Sequence, residues 1–336
     1  MFSQPEITQI INDALQRIQT NQHVDRLYEP VRYAIANGGK RIRPLLMIMA
    51  YNLFRDDILR IIDNAIAMEV YHNFTLLHDD VMDKAVMRRG KPCVHVKWNE
   101  NAAILSGDTM LALSYRLMTE NRAFFNCDAD PNALYDAMQQ AVNTFNEATI
   151  GVCEGQQLDM DFETMDDVSE KQYMDMIRLK TSLLLSCSLK IGAQLALAQP
   201  RQADLLYTFG EKIGLAFQLQ DDLLDVYGDP KVFGKNIGGD IVANKKTFML
   251  IKTLEMASDK HRQELKKWIA MTDFDNEDKI KAVTHLYNVS GTRQVCEQKI
   301  NELFAEGMEA LDQLNVTDDK KNPFRQFALK LMNRQS

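Results

Sequence analysis

The sequence is short of several things, and each shortage excludes something. Its 336 residues hold five cysteines, Cys93, Cys127, Cys153, Cys187 and Cys296, an odd number with no C-x-x-C pair. That pattern supports no disulfide framework, and free thiols in a reducing cytoplasm are expected. No apolar run approaches the ~20 residues that cross a bilayer; the longest lies near Leu45 to Tyr51. Met1 to Thr20 is polar and amphipathic, so no secretory leader is expected. Basic residues are in the minority, 39 against 47 acidic, for a formal net charge of −8. This disfavours a general nucleic-acid binder while leaving room for a local basic pocket. Strand-period alternation is nearly missing, and so are linkers, low-complexity tracts and short repeats.

Helix is what remains. Ala, Leu, Met, Glu, Lys and Gln dominate, and apolar residues recur at helical spacing almost throughout. With 46% hydrophobic and 26% charged residues, the chain can bury a large core; length alone allows one or two domains, and a single all-α domain over residues 1–336 is expected. Helices are expected at about Gln4 to Thr20, Val24 to Ala36, Asp57 to Asp83, Asn101 to Asn121, Pro131 to Leu158 and Gln202 to Val226. Another is expected behind a Ser169/Gln172 capping box, with Lys180-Thr181 in its middle. Residues 84–98 read as a polar loop. The eight prolines are expected mostly at helix boundaries.

Two acidic clusters stand out. Asp79, Asp80 and Asp83 close an apolar helical run, and Arg88-Arg89-Gly90 follows. Residues four apart share a helix face, so Asp79 and Asp83 stack. Crowded carboxylates repel unless a cation lies between them, and Mg²⁺ suits such oxygen ligands because it takes the rest from water and phosphate. Guanidinium forks bind phosphate oxygens in pairs. Far downstream, Phe217-Gln218 precedes Asp221, Asp222 and Asp225, with the same Asp-Asp-x-x-Asp spacing. One cluster alone could be a solvated helix end. Two of identical spacing point to metal ions gathered around a diphosphate.

Basic groups accompany them. Asn37-Gly38-Gly39 is a helix stop, and Lys40-Arg41-Ile42-Arg43-Pro44 starts the next helix. Free N–H groups and three cations there make an anion site, or by themselves only an exposed basic turn. His72 lies ~10 Å before Asp79 on the same face. The glycine-rich loop from Gly228 to Asp240, with Lys235 in it and Lys245, Lys246 and Thr247 after it, looks like a lid over phosphates.

Taken in order, these elements resemble the trans-type polyprenyl diphosphate synthases of the farnesyl and geranylgeranyl sort, from about Gly38 to Thr247. Gly39-Lys40 with Arg43-Pro44 matches that family's G-K-x-x-R-P element. The two aspartate motifs, the R-R-G tail, Lys180-Thr181, Phe217-Gln218 and the lysines Lys235 and Lys245 match the rest. The resemblance implies an all-α bundle around a deep central cavity, and usually a homodimer. It implies that Lys40, Arg43, His72 and Arg89 hold isopentenyl diphosphate. Arg88, Lys180, Lys235 and Lys245 would hold the allylic diphosphate. The six aspartates would carry the catalysis together with Lys180, Thr181 and Gln218, around three Mg²⁺ ions with Asp79, Asp83 and Asp221 as ligands. Some relatives end in a basic tail; the end here, Met332-Asn333-Arg334-Gln335-Ser336, does not align with one.

The chemistry is consistent with the residues. An allylic C–O bond ionises, cations stabilise the departing diphosphate, and the isopentenyl double bond attacks the carbocation. A dry apolar cavity must protect that cation from water. A terpene cyclase or a head-to-head condensing enzyme would leave Lys40, Arg43, His72 and Arg89 without a substrate. A non-catalytic subunit would have lost carboxylates, and all six are present. Product length should be set on the helix of Asp79. Phe74 lies ~7.5 Å before it, with Thr75 and Tyr71 nearby. The helical wheel places Thr75 and Tyr71 nearer the carboxylate face, so Phe74 as the floor rests on the resemblance. A twenty-carbon product is expected, with fifteen carbons as the alternative.

Overall fold

Local capping signals set the element boundaries in the computed structural model, which describes residues 2–18, 24–228 and 237–332. Ser3 and Glu6 form a reciprocal capping box at the start of α1 (Gln4–Gln16). Helix α2 (Asp25–Ala36) stops at Asn37, followed by Gly38 and Gly39 at φ 76° and 135°. Those angles suit glycine, which has no Cβ to clash. Helix α3 (Ile42–Asn52) follows, with Pro44 in its first turn, where no N–H is required. A 3₁₀ turn at Ile58–Ile61 leads into α4 (Ile62–Met82), so the regular helix begins later than Asp57.

Residues 84–98 depart from the expected loop. Strands β1 (Met87–Arg88) and β2 (Lys91–Pro92) pair antiparallel, with Arg88 opposite Lys91. Arg89 and Gly90 join them with φ of 53° and 74°, the two positive angles of a tight type I′ hairpin. The R-R-G tail is therefore a hairpin turn that alternation could not reveal, because two-residue strands have no period to read. A short helix α5 (Val94–Lys97) comes next, then α6 (Glu100–Thr119), capped by Asn99. After α7 (Arg122–Phe125), α8 (Pro131–Thr164) runs past the expected end at Leu158. Helix α9 (Glu170–Ile177) opens on the Ser169/Gln172 box, and α10 (Leu183–Leu195) and α11 (Pro200–Tyr227) follow. Then come α12 (Gly239–Val242), α13 (Phe248–Met256), α14 (Asp259–Ala270), α15 (Asn276–Val289), α16 (Thr292–Asp312) and α17 (Asp318–Met332). Pro30 and Pro323 lie inside α2 and α17 rather than at boundaries. Each removes one intrahelical donor without ending its helix. The fold class is all-α as expected, and among the described residues β1 and β2 are the only strands.

The chain divides into two compact units, Met1–Asn146 with Cys187–Leu206, and Glu147–Ser186 with Tyr207–Ser336. In the first, α4 packs along α6, and the His78 ring sits over Gly107 with Nε2 3.0 Å from the Ile104 carbonyl. A Cβ on Gly107 would fall 2.2 Å from that ring. Tyr71 touches both Phe74 and Phe145, and Tyr115 also packs edge-on against Phe145. In the second unit, Phe162, Tyr173, Leu219, Phe248, Leu286 and Leu303 belong to one buried core.

The backbone approaches are tight as well as the side chains. A Cβ on Gly192 of α10 would lie 2.2 Å from the Met47 carbonyl oxygen of α3, a backbone atom that cannot swing aside. Gly192→Ala should therefore destabilise the protein by about 1–3 kcal/mol through overpacking. Urea unfolding measures this; an unchanged midpoint would mean that α10 and α3 do not approach as described.

Candidate active site

In the first unit the acidic groups occupy the last turn of α4. The Asp83 N–H donates to the Asp79 carbonyl (2.9 Å), which keeps the two carboxylates one helical turn apart. Asp80 points inward and is buried. Arg88, presented by the hairpin, donates from Nε to Asp80 at 2.7 Å, and its Nη2 lies 2.7 Å from Asp80 and 3.6 Å from Asp79. Asp80 is thus neutralised by a protein cation, whereas Asp83 is exposed.

The basic groups surround His72. Arg89 donates to the Gly38 carbonyl. A Cβ on Gly39 would stand 2.8 Å from the same guanidinium, so the glycine makes room for it. Arg43 is partly buried, and its Nε has no hydrogen-bond partner among the described residues. Burial, helped by the charge of Arg89 and opposed by Glu69, pushes the Arg43 pKa down to about 10. Burial and then Arg43, Arg89, Arg88 and Arg41 hold the His72 imidazole well below its ordinary range. A buried donor without a protein acceptor, set among like charges, is free to donate to an anion. Lys40 is exposed on the loop ahead of α3.

Arg41 behaves differently from its neighbours. Although it belongs to the basic run, its Nη1 lies 2.6 Å from the Glu69 carboxylate and its Nη2 donates to the Ile35 carbonyl at 2.6 Å. Asn73 donates to the same carboxylate (3.2 Å) and to the Glu69 carbonyl (2.7 Å). Arg41 itself caps α3 at φ 49°. It is a structural clasp, and sequence reasoning missed Glu69 because nothing local marks that partner.

The second unit carries the other basic and acidic motifs. Lys180 and Thr181 fall in a π-helical turn, Arg178–Ser182, between α9 and α10. Such turns re-aim side chains within a continuous helix. Helix–helix contact accommodates it: a Cβ on Gly155 of α8 would meet the Lys180 nitrogen at 2.4 Å, and one on Gly214 of α11 would meet Ser182 Oγ at 2.5 Å. Lys180 pairs with Asp159 at 2.5 Å, another residue that the sequence reading missed. Thr181 Oγ1 donates to Gln218 (3.3 Å), and Gln218 Nε2 donates to Asp222 (3.2 Å). Asp222 also accepts from the Tyr173 hydroxyl and from the Phe248 N–H (3.4 Å). Burial pushes its carboxyl up to about 7. Asp225 accepts the Asp240 N–H at 3.0 Å. Asp222 and Asp225 therefore anchor protein, while Asp221 is only partly buried. Lys245 is exposed; Lys235, most of the glycine-rich loop and Arg334 lie outside the described residues.

No three His, Cys, Asp or Glu side chains among the described residues converge into a metal site of their own. Donor chemistry here is carboxylate oxygen, offered one or two groups at a time. That suits Mg²⁺ completed by water and phosphate, not a closed protein cage.

A model of the polyprenyl synthetase family matches residues 24–287. Over 231 residues the chain is 39% identical to a geranylgeranyl diphosphate synthase of Methanosarcina mazei, covering 69% of this chain and 68% of that protein. It is 32% identical to a geranylfarnesyl diphosphate synthase of Aeropyrum pernix, over 88% and 89% of the two. A crystal structure of a geranylgeranyl pyrophosphate synthase superposes with a TM-score of 0.90 at 39% identity over the full length of both chains. The Corynebacterium glutamicum enzyme of that name, solved with isoprenyl diphosphate and magnesium, superposes at 0.80 with 25% identity, over 98% of this chain and 97% of that one. Fold and relatives together define an isoprenyl synthase. The chain belongs to the polyprenyl synthetase family, and it is a short-chain trans-prenyltransferase.

The neutral His72 has a measurable consequence. An imidazole whose pKa is lowered by folding costs nothing above the unfolded value of about 6.5 and loses stability as pH falls below it, because only the unfolded chain protonates freely. Asp222, whose carboxyl is pushed up to about 7, acts in the opposite sense, so the His72 contribution is read as a difference: below about pH 6.5 the wild type should lose stability relative to His72→Gln. Melting curves between pH 4.5 and 8 check this; parallel wild-type and variant slopes would contradict it.

Proposed function

We propose that this chain condenses isopentenyl diphosphate with an allylic diphosphate to give a twenty-carbon prenyl diphosphate, releasing diphosphate. Arg43 carries the reading: a buried guanidinium Nε without a protein acceptor, beside Arg89 and an uncharged His72, asks for an anion. With Lys40, these groups would hold the isopentenyl diphosphate. A cyclase would have no use for that site.

Arg88, Lys180, Lys235 and Lys245 would hold the allylic diphosphate. Asp79, Asp83 and Asp221 would carry Mg²⁺, three ions in all, which when bound stabilise negative charge on the leaving oxygens. Arg88 already lies against Asp79 and Asp80, so it can orient phosphate beside carboxylate. Thr181, Gln218, Asp222 and Asp225 would fix the π-helical turn and the neighbouring chain. The allylic C–O bond breaks, the isopentenyl double bond forms the new C–C bond, and the proton lost afterwards goes to the departed diphosphate. Apolar side chains keep water from the cation.

Several further assignments belong to the same reading. The family match crosses both compact units, which supports one catalytic domain. A homodimer remains the proposed assembly, on the resemblance to this family alone. No described helix is long and apolar enough to cross a membrane; the cytoplasm is the proposed location.

The two diphosphates give separable kinetics. Arg43→Ala should mainly raise KM for isopentenyl diphosphate, and Lys180→Ala should mainly impair the allylic substrate, each by roughly tenfold or more, as expected when a charged hydrogen bond is lost. Equal effects of both variants on both substrates would refute the partition.

Product length depends on Phe74. Its ring is buried between Tyr71 (5.5 Å) and His78 (4.8 Å) and can serve as a floor for the growing chain together with Thr75. Phe74→Ala should lengthen the product by one or more five-carbon units, and chromatography of the products reads this. If Tyr71→Ala lengthened it and Phe74→Ala did not, the floor would lie a turn deeper.

A further inference from the structure

Lys279 is a lysine in an unusual place. It sits on α15 and is 1% exposed. A buried ammonium requires acceptors, and lysine is seldom kept inside without them. Its Nζ donates to Asn244 Oδ1 at 2.8 Å and to the Val242 carbonyl at 3.3 Å, and stands 4.0 Å from the Phe274 ring centroid. No carboxylate among the described residues pairs with it. The polar partners are thus confined to the last residue of α12 and the short turn after it.

That turn connects α12 to α13 and presents Lys245. Asn244 adopts φ 53°, a left-handed conformation that asparagine tolerates better than most residues. Its Nδ2 donates to the Ile269 carbonyl (3.1 Å), so its side chain is fixed at both ends. The next residue, Lys245, donates its N–H to the Asp240 carbonyl at 2.9 Å, and the Asp240 N–H is held by Asp225. Helix α15 also grips the start of the segment, since a Cβ on Gly238 would fall 2.6 Å from Ile280. A residue needed only to fill this space could be apolar at less cost. An ammonium is required only if the carbonyl and amide oxygens of the turn must be held.

We propose that Lys279 is a positioning residue for the allylic diphosphate, acting through Asn244 on the turn that presents Lys245. The inference rests on the assignment of Lys245 to that substrate under the proposed function. Removing the ammonium frees the left-handed residue immediately before Lys245, so the loss falls on diphosphate binding and not on the fold of the helices.

Steady-state kinetics on the full-length enzyme, with each substrate varied in turn, test this with Lys279→Met, Asn244→Gly, the double variant and Lys245→Ala. Asn244→Gly retains access to positive φ while deleting the latch, and it decides the matter if Lys279→Met does not fold. The expected result is a roughly tenfold rise in allylic KM for either single variant, with isopentenyl KM unchanged and kcat within about twofold. The double variant should fall short of the sum of the singles, since the two share the Lys279–Asn244 bond; full additivity would overturn the inference. If Lys245→Ala raises allylic KM and neither latch variant does, the inference fails while the assignment of Lys245 stands. A parallel rise in both KM values shows a merely structural role and also overturns it. If Lys245→Ala leaves allylic KM unchanged, the assignment of Lys245 fails and the inference falls with it.

Discussion

Arg41 and Glu69 form the contact on which the first unit's chemistry depends. Both are buried, 2.6 Å apart, and satisfied further by Asn73 and the Ile35 carbonyl. Removing one partner of such a pair costs about 3–5 kcal/mol, because the other charge stays buried and alone. The pair ties the left-handed entry of α3 to the middle of α4. Lys40 and Arg43 flank Arg41 on one side of this tie; His72 and the acidic turn continue from Glu69 along the other. One internal neutralisation thus fixes the start of α3 against the middle of α4, with Lys40, Arg43 and His72 carried alongside it. The depressed proton affinity of Arg43 and His72 records the cost of holding them there.

The second unit divides its charges in the same way. Asp222 and Asp225 spend their oxygens on Tyr173, Gln218 and the backbone at Phe248 and Asp240. They turn the end of α11 into an anchor for the chain that carries Lys245. Lys180 is aimed by a π-helical turn and kept in place by Asp159. In both units, half of each charged motif is structural.

The sequence disclosed what is local. The capping boxes at Ser3 and Ser169, the stop at Asn37-Gly38-Gly39 and the i, i+4 spacing of Asp79 and Asp83 require no tertiary contact, and each appears where expected. The acidic and basic motifs were legible because spacing on a helix is itself geometry. Partners supplied by other elements were not. Glu69, Asp159 and Tyr173 bear no mark in their own neighbourhoods, and their roles arise only when α3 meets α4, α8 meets the π-helical turn at Gly155, and α9 meets α11. The hairpin at Arg88 was hidden because two-residue strands show no alternation, and the π turn because its composition is that of any helix.

The proposed function requires that the acidic and basic motifs bind metal and diphosphate together. Calorimetric titration of the full-length protein with Mg²⁺, with inorganic diphosphate, and with each in the presence of the other tests it most directly. The account predicts weak binding of either alone and a mutual enhancement of at least tenfold, equal in both directions as linkage requires. Asp79→Ala should abolish the enhancement while sparing the fold. Diphosphate binding that was equally tight with and without Mg²⁺ would contradict it.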